Sequence, residues 1–442
     1  MKYFKLFIGL FLLPMSMAVA QNQLPKVSNV KVSIDKEKQL VQINYDVSDK
    51  EESQLTIALT VADDAQGRFM VDTKNATGDI GENVAVGSGK KITWKYSDSL
   101  RLDQAYFRIV ADDGYKVPME EILAKVDANR IKKNLATVSV ARHHKDEKGR
   151  KNLVMIRSLI ENTFQDAGYK TRRQIVPFGG WTGENILGRK AGLTNERSNY
   201  VVMADFDSVE SREMSIVNSN GIVGVLEVMS VLGEYQFKKT LLGAGFDLIY
   251  PEHMGANFFI WKDSGMPKDE QIEAGFFLDG IASDTYRSAD LPDEYKPKMS
   301  ADWVRKDFDG TFMMAFVNNR SVSLLDNFRK QAALYSPETL LADRVVSRYG
   351  EEAYQSQAGA HAPFWYRDLK AIYVTTWMAI RHLKPNRKWS YPEAALKMSS
   401  IKTMSEIIKT VIASVVEEAE ILHCDIFEAP LKDDSEMRAA VK

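Results

Sequence analysis

The sequence predicts a small all-β sandwich followed by an α/β domain with a mostly parallel sheet flanked by helices, and two changes of pattern along the chain carry that prediction. From Val27 to about Lys116, short segments such as LVQINYDV, SQLTIALTVA and KKITWKY alternate apolar and polar residues between turn residues. From Ile131 onward, apolar strands alternate with segments of helical period, the pattern of a sheet covered on both faces.

Taken in order, residues 1–20 read as a signal peptide. Lys2 and Lys5 precede the apolar run FIGLFLLPMSMAV, and Ala18-Val19-Ala20 has the small-x-small pattern of a cleavage site, so the chain is expected to be exported to the periplasm or cell surface. Residues 24–116 follow as an immunoglobulin- or fibronectin-like sandwich of about seven strands. Residues 117–130 read as a helical connector, 131–425 as the α/β domain and 426–442 as a polar tail. In the α/β domain, Ile222, Val225, Leu226, Met229 and Leu232 recur at helical spacing, and an apolar strand runs from Thr240 to Phe246. Two long, charged and partly helical stretches lie around 284–309 and 318–354, with Trp303, Phe308, Phe312 and Phe316 expected mostly in the core; a resemblance set out below would make them insertions that border a cleft.

Composition narrows the function classes. Removal of Lys2 and Lys5 takes the formal charge from -2 to -4 with no basic stripe, which leaves no case for nucleic acid. No run after the first approaches the roughly 20 apolar residues of a membrane span. Cys424 is the only cysteine, so an internal disulfide is excluded, and its thiol reads as a buried apolar group. The sequence has no Gly-x-Ser-x-Gly elbow, phosphate-binding glycine loop or His-Glu-x-x-His helix.

The segment YVVMADFDSVESREMSIVNSNGIVGVLEVMSVL, the strand ending GFFLDGI, AGAHAPFWYRDLKAIYVTT and WSYPEA follow one another in an order that resembles the di-zinc aminopeptidase, glutaminyl cyclase and transferrin receptor-like superfamily. The resemblance spans roughly Ile131 to Glu420 and implies a zinc-exopeptidase-like fold. It places Asp205 at the first ligand position, where the family has His, with Asp207 two residues on. Asn218 falls in the turn before the following helix, and Asp279 matches the ligand of the second zinc. His361 and Phe364 are retained in a Ser-Asp-His-x-x-Phe-like stretch whose Asp is Ala360 here. The bridging carboxylate falls on Ile216, the general base and a ligand on Ile249 and Tyr250, and the last histidine on Ser390. A shift of a few residues near Ile249 would instead bring Asp247 or Glu252 into the site.

A catalytic zinc needs about three N, O or S ligands and an open water position, and a two-metal site needs a bridging carboxylate. Loss at Ile216, Ile249, Tyr250 and Ser390 therefore implies a peptidase homologue without catalysis and without a metal cofactor, acting on a protein, peptide or glycan as a binding or scaffold protein. Zinc or calcium on the surviving carboxylates is the disfavoured alternative, because calcium takes roughly six to eight oxygens. In the bland reading Asp207 caps a turn while Asp205 and Asp279 are solvated. Two other readings stay open: a metal-dependent aminopeptidase rebuilt on Asp205, Asp279 and His361, and a structural subunit of an envelope or secretion assembly. His143 and His144, in an Arg-His ahead of the first helix, read as surface groups or local hydrogen-bonders.

Overall fold

The computed structural model describes residues 22–63, 69–208, 214–249, 253–261, 270–282, 312–351, 359–376 and 400–432. The expected signal peptide, Tyr250, Glu252, Trp303, Phe308, Ser390 and the insertion at 284–309 lie outside them.

Alternation sets the first layer pair. In β2 (Leu40–Ser48) the residues Val41, Ile43, Tyr45 and Val47 are buried while their neighbours face outward. With β1 (Lys26–Asp35), β4 (Thr77–Gly78) and β6 (Gly87–Lys95) it forms an antiparallel sheet in the order β1-β2-β6-β4. A second sheet contains β3 (Gln54–Ala62), β5 (Gly81–Ala85) and β7 (Tyr106–Asp112) in the order β7-β3-β5, and the two sheets share one apolar core that includes Trp94, Ile57 and Phe107.

Behind this pair, α1 (Met119–Leu123) and α2 (Ala128–Val138) do more than connect. Ile122, Leu123, Ile131 and Leu135 are buried in the core of the α/β part, because α2 lies against the helix that follows β10. Asp127 starts α2 by accepting from the Asn129 N–H, and Asp146 does the same for α3 (Glu147–Asp166) from Gly149. Next come β8 (Lys170–Phe178), β9 (Trp181–Lys190), β10 (Asn195–Asp205), α4 (Met214–Leu232), β11 (Gln236–Phe237), β12 (Lys239–Phe246), α5 (Met254–Trp261) and β13 (Gln271–Leu278). They are followed by β14 (Phe312–Asn318), α6 (Val322–Tyr335), β15 (Leu340–Val346), α7 (Ala362–Tyr366), β16 (Lys370–Thr375) and α8 (Ile401–Ala419).

Eight of these strands make one sheet in the order β15-β14-β16-β13-β10-β12-β9-β8. Its centre is parallel, β12, β10, β13 and β16 running together, while β9 and β14 join antiparallel. Both faces of β10 are buried: Val202 and Ala204 join the core under the longer helices, and Val201 and Met203 join the one on the other face, with Phe259 and Phe364. Gly221 lets α4 cross the end of β13, since a Cβ there would stand 2.2 Å from the Leu278 carbonyl oxygen.

Two expectations are corrected. The span 318–354, read as a cleft-bordering insertion, holds α6 and the edge strand β15, and Phe316 beside it is core. The tail expected from residue 426 instead begins in β18 (Cys424–Pro430), which follows β17 (Ile421–Leu422) and pairs antiparallel with β7, from Cys424 opposite Asp112 to Pro430 opposite Tyr106. Its alternation explains this: Phe427 and Ala429 pack on the sandwich core, and Ile426 packs with Val110 and Leu193. Asp425 accepts from the Val27 N–H at 2.7 Å, so both ends of the described chain meet in one sandwich.

Candidate functional site

Three adjacent parallel strands each end in an apolar residue or carboxylate that delivers an acid at the same edge of the sheet. Asp205 closes β10 opposite Phe246, Asp247 follows β12, and Asp279 follows β13. Carboxyl ends of parallel strands are where open α/β sheets bind ligands, because the strand-to-helix loops there converge. Asp207, two residues beyond β10, joins them.

Asp247 has no exposure, and each of its oxygens accepts twice. Oδ1 takes the Leu248 N–H at 2.8 Å and His144 Nε2 at 2.9 Å; Oδ2 takes the Glu184 N–H at 2.9 Å and a short hydrogen bond from the Arg157 guanidinium. A carboxylate offers about four lone-pair sites, so this one is filled. Its own N–H is held by Asn185 Oδ1 at 3.0 Å, while Asn185 Nδ2 reaches Gln174 and the Gly255 carbonyl. Burial pushes the Asp247 carboxyl up, but His144 and Arg157 more than offset this and hold it below the ordinary Asp range.

Asp207, 4% exposed, accepts from the Ile249 N–H at 3.0 and 3.2 Å. Burial first, and then the charge of Asp247, raise its carboxyl well above the usual range. The fully buried Arg142 fixes this turn through the carbonyls of Phe206, Val138 and Val140, and its own N–H reaches Ser208 Oγ. His144 is brought in from the loop before α3, and the Trp181 ring at the start of β9 lies 6.3 Å from it, 16° from parallel. His144, Asp207 and Asp247 each present a ligand atom, all within 4.8 Å of one another, the count and chemistry of a three-ligand metal group.

Asp205 is also 4% exposed. Its Oδ2 meets His253 Nδ1 at 2.9 Å, and its Oδ1 is buried without a hydrogen-bond partner among the described residues. Asp279 accepts from the Tyr373 hydroxyl at 3.4 Å, and burial together with the Asp205 charge pushes its carboxyl up to about 7. Burial pulls the His253 imidazole down, but Asp205 and Asp279 outweigh it and leave its pKa raised.

The structure therefore gathers Asp205, Asp207 and Asp279: Asp205, expected to be solvated, is buried, Asp279 is partly exposed, and Asp207 accepts from the distant Ile249 N–H. His361 belongs to no compact group of three metal-ligating atoms among the described residues. It is fully buried among Phe277, Trp365 and Tyr373, with the Tyr373 ring stacked 4.7 Å away. Ile249 contributes only backbone, and the acid at this strand end is Asp247, two residues before the position counted back from Gly255. Ile216 and Asn218 lie within α4. Sequence reading missed Arg157, Glu184, His253 and Tyr373 and set His144 aside. Only Asp247, an acid closing an apolar strand, carried a local signal.

No protein-family model matches the chain, and no curated protein does. Among solved structures it is similar to LapB from Legionella pneumophila, at 13% identity with a TM-score of 0.50, covering 70% of this chain and 77% of that one. It is similar in the same measure to the Legionella pneumophila LapA aminopeptidase, at 16% identity and a TM-score of 0.50, covering 70% and 78%. At these identities the likeness speaks to architecture alone, and with the eight-stranded mixed sheet described above it gives this chain a zinc-exopeptidase-like α/β fold.

Proposed function

We propose that this chain is an exported peptidase-fold protein without peptidase catalysis, which binds a protein, peptide or glycan at the carboxyl ends of its parallel strands. The observation that carries the reading is the filled Asp247 carboxylate: four donors, one of them the Arg157 guanidinium, occupy the lone pairs a metal ion would need. A zinc ligated there would lie next to a fixed positive charge, and Asp207 already accepts from Ile249 through both oxygens. The donor set thus suits an internal ion-pair network better than an open metal centre.

A second reading rests on the compactness of the same trio. His144, Asp207 and Asp247 match the ligand types of zinc, and a metal-dependent aminopeptidase built on them would need Arg157 to release Asp247. In that case the three residues would hold the ion, which would supply a polarised water, and Glu184 would be the nearest further carboxylate on Arg157.

The purified mature protein separates the two. After dialysis against zinc and then buffer, mass spectrometry is expected to find substoichiometric metal, with no hydrolysis of aminoacyl nitroanilides above the buffer rate. Stoichiometric zinc lost in His144→Ala, together with chelator-sensitive hydrolysis, would replace the first reading by the second.

A further inference from the structure

At the opposite end of the parallel strands from the carboxylates, where β13 and β16 start, the chain builds a surface of a different kind. Asn318 closes β14 opposite Val346 at the end of β15, and β16 runs antiparallel to β14, so segments 318–323, 347–351 and 366–370 meet at one corner. There α7 ends at Tyr366, the left-handed Asp368 (φ 60°) turns the chain into β16, and Tyr366 and Arg367 are left exposed. α5 carries the chain back from β12 toward the start of the parallel β13, and so ends on the same side with Trp261, 50% exposed. The Arg367 guanidinium lies over that indole, 4.5 Å from its centroid. Tyr366, 43% exposed, packs on Tyr349 with centroids 5.7 Å apart, and the Arg348 guanidinium lies 5.1 Å over the Tyr349 ring.

Charge is unevenly satisfied at this corner. Arg348 donates to Asp368 Oδ1 at 2.6 Å, and Arg320 lies 3.5 Å from the same oxygen. Lys370 reaches Ser323 Oγ at 3.4 Å, while Glu351 accepts from the Ser347 hydroxyl. Arg367 meets no carboxylate among the described residues, so an aromatic face rather than an acid holds its planar fork. Across the three segments four cations stand against two carboxylates, in a chain whose formal charge is -2. A guanidinium stacked on a ring keeps its edge donors for bidentate pairing with a carboxylate. Exposed Trp, Tyr and Arg are also the residue types that carry most interface energy. We propose that this corner docks an acidic segment of a partner protein, one carboxylate taking the Arg367 fork while an apolar or aromatic neighbour covers the Trp261 and Tyr366 rings. The small excess of positive charge matches a few carboxylates and not the phosphate run of a nucleic acid. The surface stands apart from Asp205, Asp247 and Asp279 and works whatever those acids hold.

A random peptide library displayed on phage, selected on the immobilised full mature chain and counter-selected on Trp261→Ala/Arg367→Glu, tests this. Arg367→Glu alone is the second variant, and circular dichroism checks that both are folded. Enriched sequences are expected to join Asp or Glu to an aromatic or apolar residue. The best of them, labelled for fluorescence anisotropy, should bind Arg367→Glu more weakly than wild type by about tenfold or more, and added salt should weaken its binding to wild type. No enriched sequence, enrichment without acids, or equal binding to wild type and Arg367→Glu would each overturn the proposal. So would a wild type held on a heparin column, with Arg367→Glu released and no acidic peptide selected, which would give the corner to a sulfated glycan.

Discussion

Two pairs of acids, all buried but the partly exposed Asp279, stand at one edge of one sheet, and the protein treats them differently. Asp247, beside Asp207, has every lone pair occupied and a guanidinium for company. Asp205 meets one imidazole, that of His253, and keeps an oxygen without a donor among the described residues, while Asp279 has a 3.4 Å contact from the Tyr373 hydroxyl to its Oδ2. The first pair is arranged like framework and the second like a site. Residue type is the same in both and Asp279 alone of the four is partly exposed, so the filling of hydrogen-bonding capacity at Asp247 is what most separates the roles.

The sharpest way to break the comparison is Arg157→Met. If Asp247 is framework, deleting its cation strands a buried charge and should cost about 3–5 kcal/mol in denaturant unfolding. Adding Asp247→Asn to that variant should recover much of the loss, because a neutral amide needs no counter-charge. Lys330→Ala, which breaks the exposed pair with Glu417, is the control and should cost under about 1 kcal/mol. A loss for Arg157→Met as small as the control would dissolve the distinction between the pairs.

On the other side of the site the comparison sharpens through pH. The Asp279 carboxyl sits at about 7 when folded against 3.8 ordinarily, so between those values the folded state holds a proton that the unfolded chain has released. Stability therefore falls as pH rises through that window. His253 acts in the same sense: its raised pKa contributes stability that is complete below its ordinary value of 6.5 and is lost as pH climbs through the folded value. Asp279→Asn should remove the carboxylate's share, gaining roughly 2–4 kcal/mol near pH 8 and little near pH 4. Thermal melts of both proteins across that range are the check; parallel curves would place Asp279 in contact with water.

Much of the architecture was legible because it depends on local periodicity. The alternation of LVQINYDVS fixes which side of β2 is buried, and apolar runs closed by Asp205 and Asp279 marked the strand ends that bear acids. The partners of those acids were not legible, since they come from far along the chain: His144 is 103 residues from Asp247, Arg157 is 90, and Tyr373 is 94 from Asp279. No periodicity records such meetings. Counting back from Gly255 lands on Ile249, two residues past Asp247, the acid that follows β12 and is held by His144 and Arg157 from far along the chain. The final strand escaped notice because β18 is stabilised by β7, whose Arg108 lies 320 residues before Glu428.

The smallest expected effect concerns the boundary between framework and surface. Trp181 is 38% exposed, and its only described ring contact is with His144, the outermost donor on Asp247. A half-wet aromatic pair contributes about 0.5–1.5 kcal/mol, so Trp181→Ala should barely lower stability. It should nevertheless uncover His144, and the rate of His144 acylation by diethyl pyrocarbonate, read by peptide mass spectrometry, should rise. A large stability loss with no change in that rate would place Trp181 inside the framework with Asp247. A faster rate with stability nearly intact would put the limit of the framework at the imidazole, with the indole as a roof that a ligand can displace without disturbing the ion pair beneath it.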